Sequence, residues 1–532
     1  MATSKFRGLN VFIKEIRMAQ NNADAERKRI DKEMANIRQK FTSSKGLDSY
    51  NRKKYVWKMI FMFMMGYEVD FGHMEIINCL SAQKYSEKHV GYVGISLLLK
   101  NTDEMMTLVI NSIQQDLKER ERDEVQCLAL AGIANIGGQM LTDAVGASVI
   151  RLLTSGNTPP VVRKKAALTL LRLYRIDHTV LDIEETAPRL SLLVEARDLG
   201  VVTCVASLIL SLCANEKGGS RFEPLSSVVA PCILRLAQLV LHRTCTPDYL
   251  YYSTASPWLQ VKLLQILQHF PPPTDTTLRQ RMDEVLGRIL TKTEVTKSVN
   301  KNNADHAVLF EACNLIIHHC SLGGNVGNDK LRDQAVTLLA RFISVREPNI
   351  RYLGLSSMTR LAKVGDVGHL IAEHQGRILF TLKDGDISIR RRALDLVFAM
   401  CNEDNAVELV DELLNYLVRA DPDIRAEMIL KIAVLAERFQ TNLRWYIDTM
   451  LNIIVVSGQH VSEEIWHRVV QIITNHEDLQ PYAARKVYSA LQAAGITATE
   501  SLVCLAAYVV GEFGDVLADD EEEGETHTPN DM

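Results

Sequence analysis

An all-α fold, a right-handed superhelical solenoid of two-helix repeats of the HEAT or armadillo kind, is the class this sequence predicts, and three observations predict it. The first is periodicity: apolar residues return at helical spacing along nearly the whole chain, with almost no strand-like alternation. The second is composition. Of 532 residues 47% are hydrophobic, yet aromatics are only 6%, so Leu, Ile, Val and Ala must carry the packing, and 14 Pro and 28 Gly leave few interruptions. The third is a recurring element, in which an aliphatic residue followed by Arg or an equivalent opens a dense aliphatic face. It occurs as VVRKKAALTLLRLY from Val161, GVVTCVASLILSLC from Gly200, NIRYLGLSSMTRLA from Asn349, SIRRRALDLVFAM from Ser388 and DIRAEMILKIAVLA from Asp423. Val162 to Val201 and Ile350 to Ile389 each span 39 residues, and Ile389 to Ile424 spans 35. Those intervals lie just under the roughly 40 to 47 residues of known two- and three-helix repeats, and stacked repeats bury a face that no single pair can bury alone.

Charge is distributed unevenly along this array. Residues 1–60 hold fifteen Lys or Arg against six acids, a net of +9; the whole chain carries −5, which leaves −14 for the remainder. Nine acids fall between Glu512 and Asp531, including the run Asp519–Glu523, and 519–532 reads as an acidic disordered tail after a trunk of 1–518. The basic beginning predicts a polyanion partner there, such as a phospholipid headgroup, a nucleic acid or an acidic protein.

Within that beginning the segment Arg52–Lys58, RKKYVWK, packs four cations and two aromatics onto the start of an apolar stretch. At 100° per residue Lys54, Tyr55 and Lys58 share one face, while Val56, Trp57, Ile60 and Phe63 point the other way. The cations are therefore expected on the solvent side. Asp48 or Ser49 is the expected N-cap, which puts Arg52, Lys53 and Lys54 near a helix start, where the dipole disfavours positive charge and a bound anion reverses that penalty. Helices around Val11–Ile16 and Ile30–Ile37 carry an apolar stripe at the open end of the array, so a covering partner is expected for them.

The longest apolar runs, Met59–Met65 and Val503–Val510, fall well short of the ~20 residues a spanning helix needs, and the first residues lack the apolar core of a signal peptide. A cytosolic chain follows. Eight of the ten cysteines sit among aliphatic residues, where a thiol acts as a small hydrophobe, and no CxxC pair occurs. His306, Cys313, His318, His319 and Cys320 are close in sequence, but adjacent His318 and His319 splay about 100° apart on a helix, so no metal and no cofactor is assigned. Pro159 and Pro160 suit the first turn of a repeat helix, and Pro271–Pro273 ends the helix drawn over 256–270. Gly323–Asn328 lacks the GxxxxGK[ST] pattern and reads as a loop. No GxSxG, HExxH or DxDxDG-type motif is present, and the chain is read as a binding protein, not an enzyme.

The stretches RGLNVFIKEIR (7–17), ERKRIDKEMANIRQKF (26–41), YNRKKYVWKMIFMFMMGYEVDFGHMEIINCLSAQKYSEKHVGYVGISLLL (50–99), PWLQVKLLQILQHFPPP (257–273), HAVLFEACNLIIHH (306–319) and VSEEIWHRVVQIITN (461–475) resemble the adaptin N-terminal family, in particular its alpha-type large subunits of the plasma-membrane clathrin adaptor. The resemblance runs from Arg7 to Leu517. It implies a helical trunk that wraps a sigma small subunit, pairs with a beta-type large adaptin and a mu medium subunit, and sits on the inner face of the plasma membrane at clathrin-coated pits, with the clathrin coat an indirect partner. It further implies binding of phosphatidylinositol 4,5-bisphosphate at positions matching Arg7, Gly8, Lys40, Tyr50, Lys54, Tyr55, Val56, Trp57 and Lys58, to which the charge cluster adds Lys53. The residue matching the arginine that meets the acidic position of dileucine cargo signals is Arg17. Family members continue into a hinge and an appendage, and neither follows Leu517 here. The alternative function is a helical-repeat scaffold or carrier whose basic end binds nucleic acid or acidic peptides. Trp57 falls on the apolar face and no second aromatic platform follows, so nucleic acid is not the expected partner.

Overall fold

The computed structural model describes residues 7–19, 22–42, 47–99, 104–119, 121–215, 223–292, 296–322, 329–364, 367–440 and 442–515. The stretches 323–328 and 519–532, read above as a loop and an acidic tail, lie outside them, as does the side chain of Arg7. Two compact units divide the chain, Met1–Leu315 and Ile316–Met532.

The first unit is built from α1 (Arg7–Ala19), α2 (Ala23–Thr42), α3 (Ser49–Met64), α4 (His73–Leu80), α5 (Tyr85–Leu98), α6 (Met106–Lys118), α7 (Asp123–Ile136) and the helices that follow. Every second helix packs on its counterpart in the next repeat: α3 on α5, α5 on α7, α7 on Pro160–Ile176, that helix on Leu199–Asn215, and the last on Pro257–Leu267. The intervening helices α4, α6, Gln139–Thr154, Ile183–Val194 and Val229–Val240 form the second layer. The core runs between the layers and is aliphatic, with Val162 and Leu170 fully buried and Val201 at 1% exposure. In the second unit Pro348–Val364 packs on Ile387–Met400 and that helix on Pro422–Arg438, while further along Leu443–Ser457 packs on Gln480–Ala494 and Glu463–Asn475 on Glu500–Phe513. Among the described residues no helix is long and apolar enough to cross a membrane.

The recurring arginine has a structural reason. Arg163 donates to the Gly156 carbonyl (2.6 Å), Arg351 to Val345 (3.1 Å) and Arg346 (3.0 Å), Arg390 to Asp384 (2.8 Å) and Arg425 to Ala420 (2.8 Å). Each guanidinium thus satisfies carbonyls in the loop just before its own helix. Two of them also reach forward: Arg351 pairs with Asp384 at 3.0 Å, and Arg390 pairs with Asp421. The signature is an inter-repeat clamp as well as a period marker. Arg390→Ala, which strips a half-buried carbonyl and a carboxylate of their partner, should destabilise the second unit by about 1–3 kcal/mol. Thermal melting and amide exchange over 384–438 will read it.

One element departs from the all-helical expectation. Leu250–Tyr251 and Thr254–Ala255 form a two-residue antiparallel ladder closed by Tyr252 and Ser253, both with positive φ (45° and 69°). Asn-Gly is the usual occupant of such a turn, and left-handed backbone costs an ordinary residue about 1–2 kcal/mol, so nothing in the local sequence announces it.

Candidate anion-binding end

Asp48 caps α3, its carboxylate accepting from the Asn51 N–H at 3.1 Å, as its place in the sequence suggests. The cations that follow take four different environments. Arg52 pairs with Glu75 (2.7 Å) and donates to the Leu47 carbonyl (3.2 Å). Lys53 turns to α5 and donates to Ser86 Oγ at 3.2 Å. Lys58 is not on the solvent side. It is 7% exposed, its ammonium lies 2.5 Å from a Glu33 oxygen, and it sits 5.1 Å from the centre of the Phe12 ring. The helical wheel failed because α1 and α2 cover the flank of α3 that the wheel assigns to water. Tyr55 is likewise buried at 7%, and Val56 is fully buried. Trp57 is half-buried with its ring 6.3 Å from His89 on α5, and Phe63 on the nominal apolar face is 40% exposed.

That leaves Lys54 as the cation of this run that faces the opening. Its Nζ donates to Asn51 Oδ1 (2.6 Å) and lies over two rings, Tyr55 at 4.4 Å and Tyr50 at 5.6 Å. Burial first, then the charges of Lys58 and Lys40, hold the Lys54 ammonium below the ordinary lysine value, against the opposing pull of Asp48 and Glu33. Gly8, in the first turn of α1, is so close that an added Cβ would lie 3.2 Å from Lys54 Cδ. Lys40 stands exposed in the last turn of α2, and the neighbouring Phe41 ring meets Tyr55 edge-on at 6.1 Å, fixing that end of α2 to α3. The start of α1, the end of α2 and the start of α3 therefore converge. Lys40 and Lys54 bring full charges beside Gly8, and the Tyr50 and Tyr55 rings wall the space, an arrangement suited to a multiply charged phosphate.

Arg17 lies elsewhere. It is exposed in the last turn of α1, nine positions from Gly8, or about 13 Å along the helix at 1.5 Å per residue. Beside it Met18 is 84% exposed, and Val11 on the same helix is 47% exposed. Phe12 and Ile16 point inward, with Phe12 edge-on to Phe61 at 6.0 Å.

Under the opening lies a network that charge counting did not find. Glu33, 5% exposed, receives Lys58 and Arg29 (2.8 Å), and Arg29 also pairs with Glu15 (2.7 Å) and covers Phe12 at 5.0 Å. Despite burial, which acts against it, hydrogen bonds from Lys58 and Arg29 hold the Glu33 carboxyl below the usual range. The signal was available: the spacing Ile30, Glu33, Ile37 puts Glu33 on the inner face of α2, where a carboxylate must find a cation.

These features define a helical-repeat protein with a basic, aromatic-walled opening where α1, α2 and α3 converge. The adaptin N terminal region family matches residues 26–530, and the chain belongs to that family. It is 47% identical over 512 residues to AP-2 complex subunit alpha-1 of Arabidopsis thaliana, covering 96% of this chain and 49% of that one. AP-2 complex subunit alpha-2 of Dictyostelium discoideum is 41% identical over 526 residues, 98% of this chain and 52% of its own. AP-1 complex subunit gamma of the same organism is 31% identical over 526 residues, 98% and 55%. The chain thus spans about half the length of the curated relatives it matches. A homology-built structure of the full-length AP-3 complex in an intermediate open conformation superposes with a TM-score of 0.54 at 17% identity, over 88% of this chain and 81% of that one, a likeness of fold.

Proposed function

We propose that this chain is the trunk of an adaptor large subunit of the alpha type, assembling with a sigma small, a mu medium and a beta-type large subunit in clathrin-mediated endocytosis. On this reading the converging ends of α1, α2 and α3 bind phosphatidylinositol 4,5-bisphosphate on the cytoplasmic face of the plasma membrane. The observation that carries it is the Gly8, Lys40, Lys54 opening, whose two lysines have no ion-pair partner among the described residues while the surrounding cations Arg38, Arg52 and Lys58 are each paired with a carboxylate. The phosphate contacts come from Lys40 and Lys54, with Gly8 leaving room beside them; Tyr50 and Tyr55 shape the space, and Lys53, Val56, Trp57 and Lys58 support it from within the fold. The relatives named as AP-2 complex alpha subunits support assembly with other adaptor subunits.

Vesicle sedimentation with and without the bisphosphorylated lipid tests the reading. Lys54→Glu should lower capture at least about tenfold, since a charge-assisted contact is worth about 1.5–3 kcal/mol and reversal adds repulsion. Helical circular dichroism and the melt should not change. Retained capture at physiological salt would move the site elsewhere, and an equal affinity for RNA or DNA would favour the scaffold alternative.

Arg17, at the far end of α1 and beside exposed Met18, is the cargo residue on this reading, with the apolar Val11 and Met18 surface continuing toward the sigma subunit. Arg17→Ser in the assembled complex should weaken a peptide bearing an acidic residue upstream of two leucines by about 1–3 kcal/mol. Vesicle capture should be unaffected by it. Calorimetry with the peptide gives the answer, and an unaltered affinity removes Arg17 from the cargo site.

A further inference from the structure

Among the described residues every non-glycine with left-handed backbone falls within 243–256: Arg243 at φ 51°, Tyr252 at 45°, Ser253 at 69° and Ser256 at 44°. Strain gathered in one segment is typical of a surface shaped for contact, because packing alone would relax it. The turn displays apolar and aromatic side chains to solvent: Leu250 is 46% exposed, Tyr252 51% and Trp258 59%. The Tyr251 ring lies 4.8 Å from both Tyr252 and Trp258, and Asn300 Nδ2 donates to the Tyr252 hydroxyl at 2.9 Å, so the three rings are held as a group.

Adjoining the turn is an open pocket lined by Arg243, Leu250, Ser253, Thr254, Lys292 and Asp305, among others. Asp305 is the one carboxylate in that lining, and it accepts from Thr254 Oγ1 at 2.7 Å. Arg243, Arg288, Lys292 and Lys301 have no ion-pair partner among the described residues. Burial first and then the charge of Arg243 depress the Lys292 ammonium, with Arg288 and Lys301 adding to the effect and Asp305 opposing it. Two cations in the lining, Arg243 and Lys292, with Arg288 and Lys301 close enough to act on Lys292, outweigh the one engaged carboxylate and leave an excess of positive charge that an anion would neutralise. Tyr and Trp beside such cations is the composition of a membrane interface, where amphipathic rings settle at headgroup level and basic residues meet phosphate.

We propose that the 250–258 turn and the pocket it closes form a second membrane-contact site, in which a lipid phosphate monoester sits between Arg243 and Lys292 while Tyr252 and Trp258 enter the headgroup layer. The site uses no residue of the α1–α3 opening and does not rest on it. An anionic lipid surface fits better than a protein partner, because it neutralises several unpaired cations at once without requiring a carboxylate aimed at each.

The test uses the full chain, vesicles of phosphatidylcholine with or without a bisphosphorylated phosphoinositide, and soluble inositol hexakisphosphate as the free-phosphate arm. R243Q/K292Q should lower vesicle capture at least about tenfold, each basic residue near an anionic surface being worth about a factor of five. It should also remove one hexakisphosphate binding event in calorimetry. The loss should appear equally in a Lys54→Glu background, which separates this site from the first: if Lys54→Glu alone changes nothing, the R243Q/K292Q effect still stands or falls by itself. Y252S/W258S should lower vesicle capture severalfold and leave hexakisphosphate affinity unchanged. None of these four side chains holds the core, and the R243Q/K292Q melt should be no lower than wild type, since it relieves repulsion. Unchanged vesicle capture by R243Q/K292Q overturns the site. Unchanged capture by Y252S/W258S overturns the membrane as its source, as does loss of a co-purifying subunit while vesicle binding is retained.

Discussion

Lys58→Glu is expected to destabilise the α1–α3 end by about 3–5 kcal/mol, the range for removing one partner of a buried ion pair. The pair is enclosed: Lys58 is 7% and Glu33 5% exposed, 2.5 Å apart, under the Phe12 ring. Glutamate there would place two carboxylates in one desolvated space, with only Arg29 to share. Amide exchange over α1 and α2 should rise sharply, and lipid capture should fall because the opening is lost with its floor. Lys58→Met combined with Glu33→Leu should cost far less, since removing both partners leaves no orphaned charge. A Lys58→Glu chain with native exchange protection would show that the pair carries no structural weight. The same network sets a pH limit. Glu33 titrates below its unfolded value, so its contribution is present above about pH 4.3 and is lost as pH falls from there through the folded value. Protection of α1 and α2 should therefore fade below about pH 4.

This changes how charge-reversal experiments on the basic end should be designed. A triple reversal of Lys53, Lys54 and Lys58 would abolish lipid binding by two routes, and only Lys54→Glu isolates the direct one. The stack itself was legible in sequence because its cause is local: an arginine that satisfies the loop preceding its helix must recur once per repeat, as Arg163, Arg351, Arg390 and Arg425 do. The candidate site was legible as a place, since net charge gathers there, and less so as a set of side chains. A helical wheel assumes one narrow buried face, whereas α3 buries Tyr55, Val56, Lys58, Met59, Ile60 and Met62, which at 100° per residue spread over roughly 200° of its circumference and take in the flank that carries Tyr55 and Lys58. Which of the four cations would be consumed internally depended on Glu33, Glu75 and Ser86, 25, 23 and 33 positions away. No pattern within α3 encodes those partners. The Tyr252–Ser253 turn was hidden for the opposite reason, its residues being poor choices for the backbone they adopt.

The platform beneath α3 holds a second enclosed charge, and its removal should have an effect of similar size. Lys88 on α5 is 5% exposed and Asp116 on α6 is 3% exposed. The ammonium lies 2.7 Å from Asp116 Oδ1 and donates to the Leu80 carbonyl at the end of α4 at 3.0 Å, while the Tyr92 hydroxyl donates to Asp116 Oδ2 at 2.8 Å. One carboxylate therefore ties α4, α5 and α6 together. Burial, followed by the Asp116 charge, pushes the Tyr92 phenol up, so it remains a donor at any physiological pH. Asp116→Asn preserves shape and the means to accept from Tyr92, but leaves Lys88 with a carbonyl and no counter-charge. The expected loss is about 3–5 kcal/mol, read as faster amide exchange in α4 to α6 and an earlier thermal transition in the first unit. Because α3 packs on both α4 and α5, phosphoinositide capture should weaken as well, although Asp116 belongs to neither candidate site. Lys88→Met with Asp116→Leu should recover most of the stability, and the Tyr92 hydroxyl, then unpaired, should account for the remaining deficit of about 1–3 kcal/mol. If Asp116→Asn exchanges like wild type, the triad is neutral and the α4–α6 stack is held by its aliphatic contacts alone.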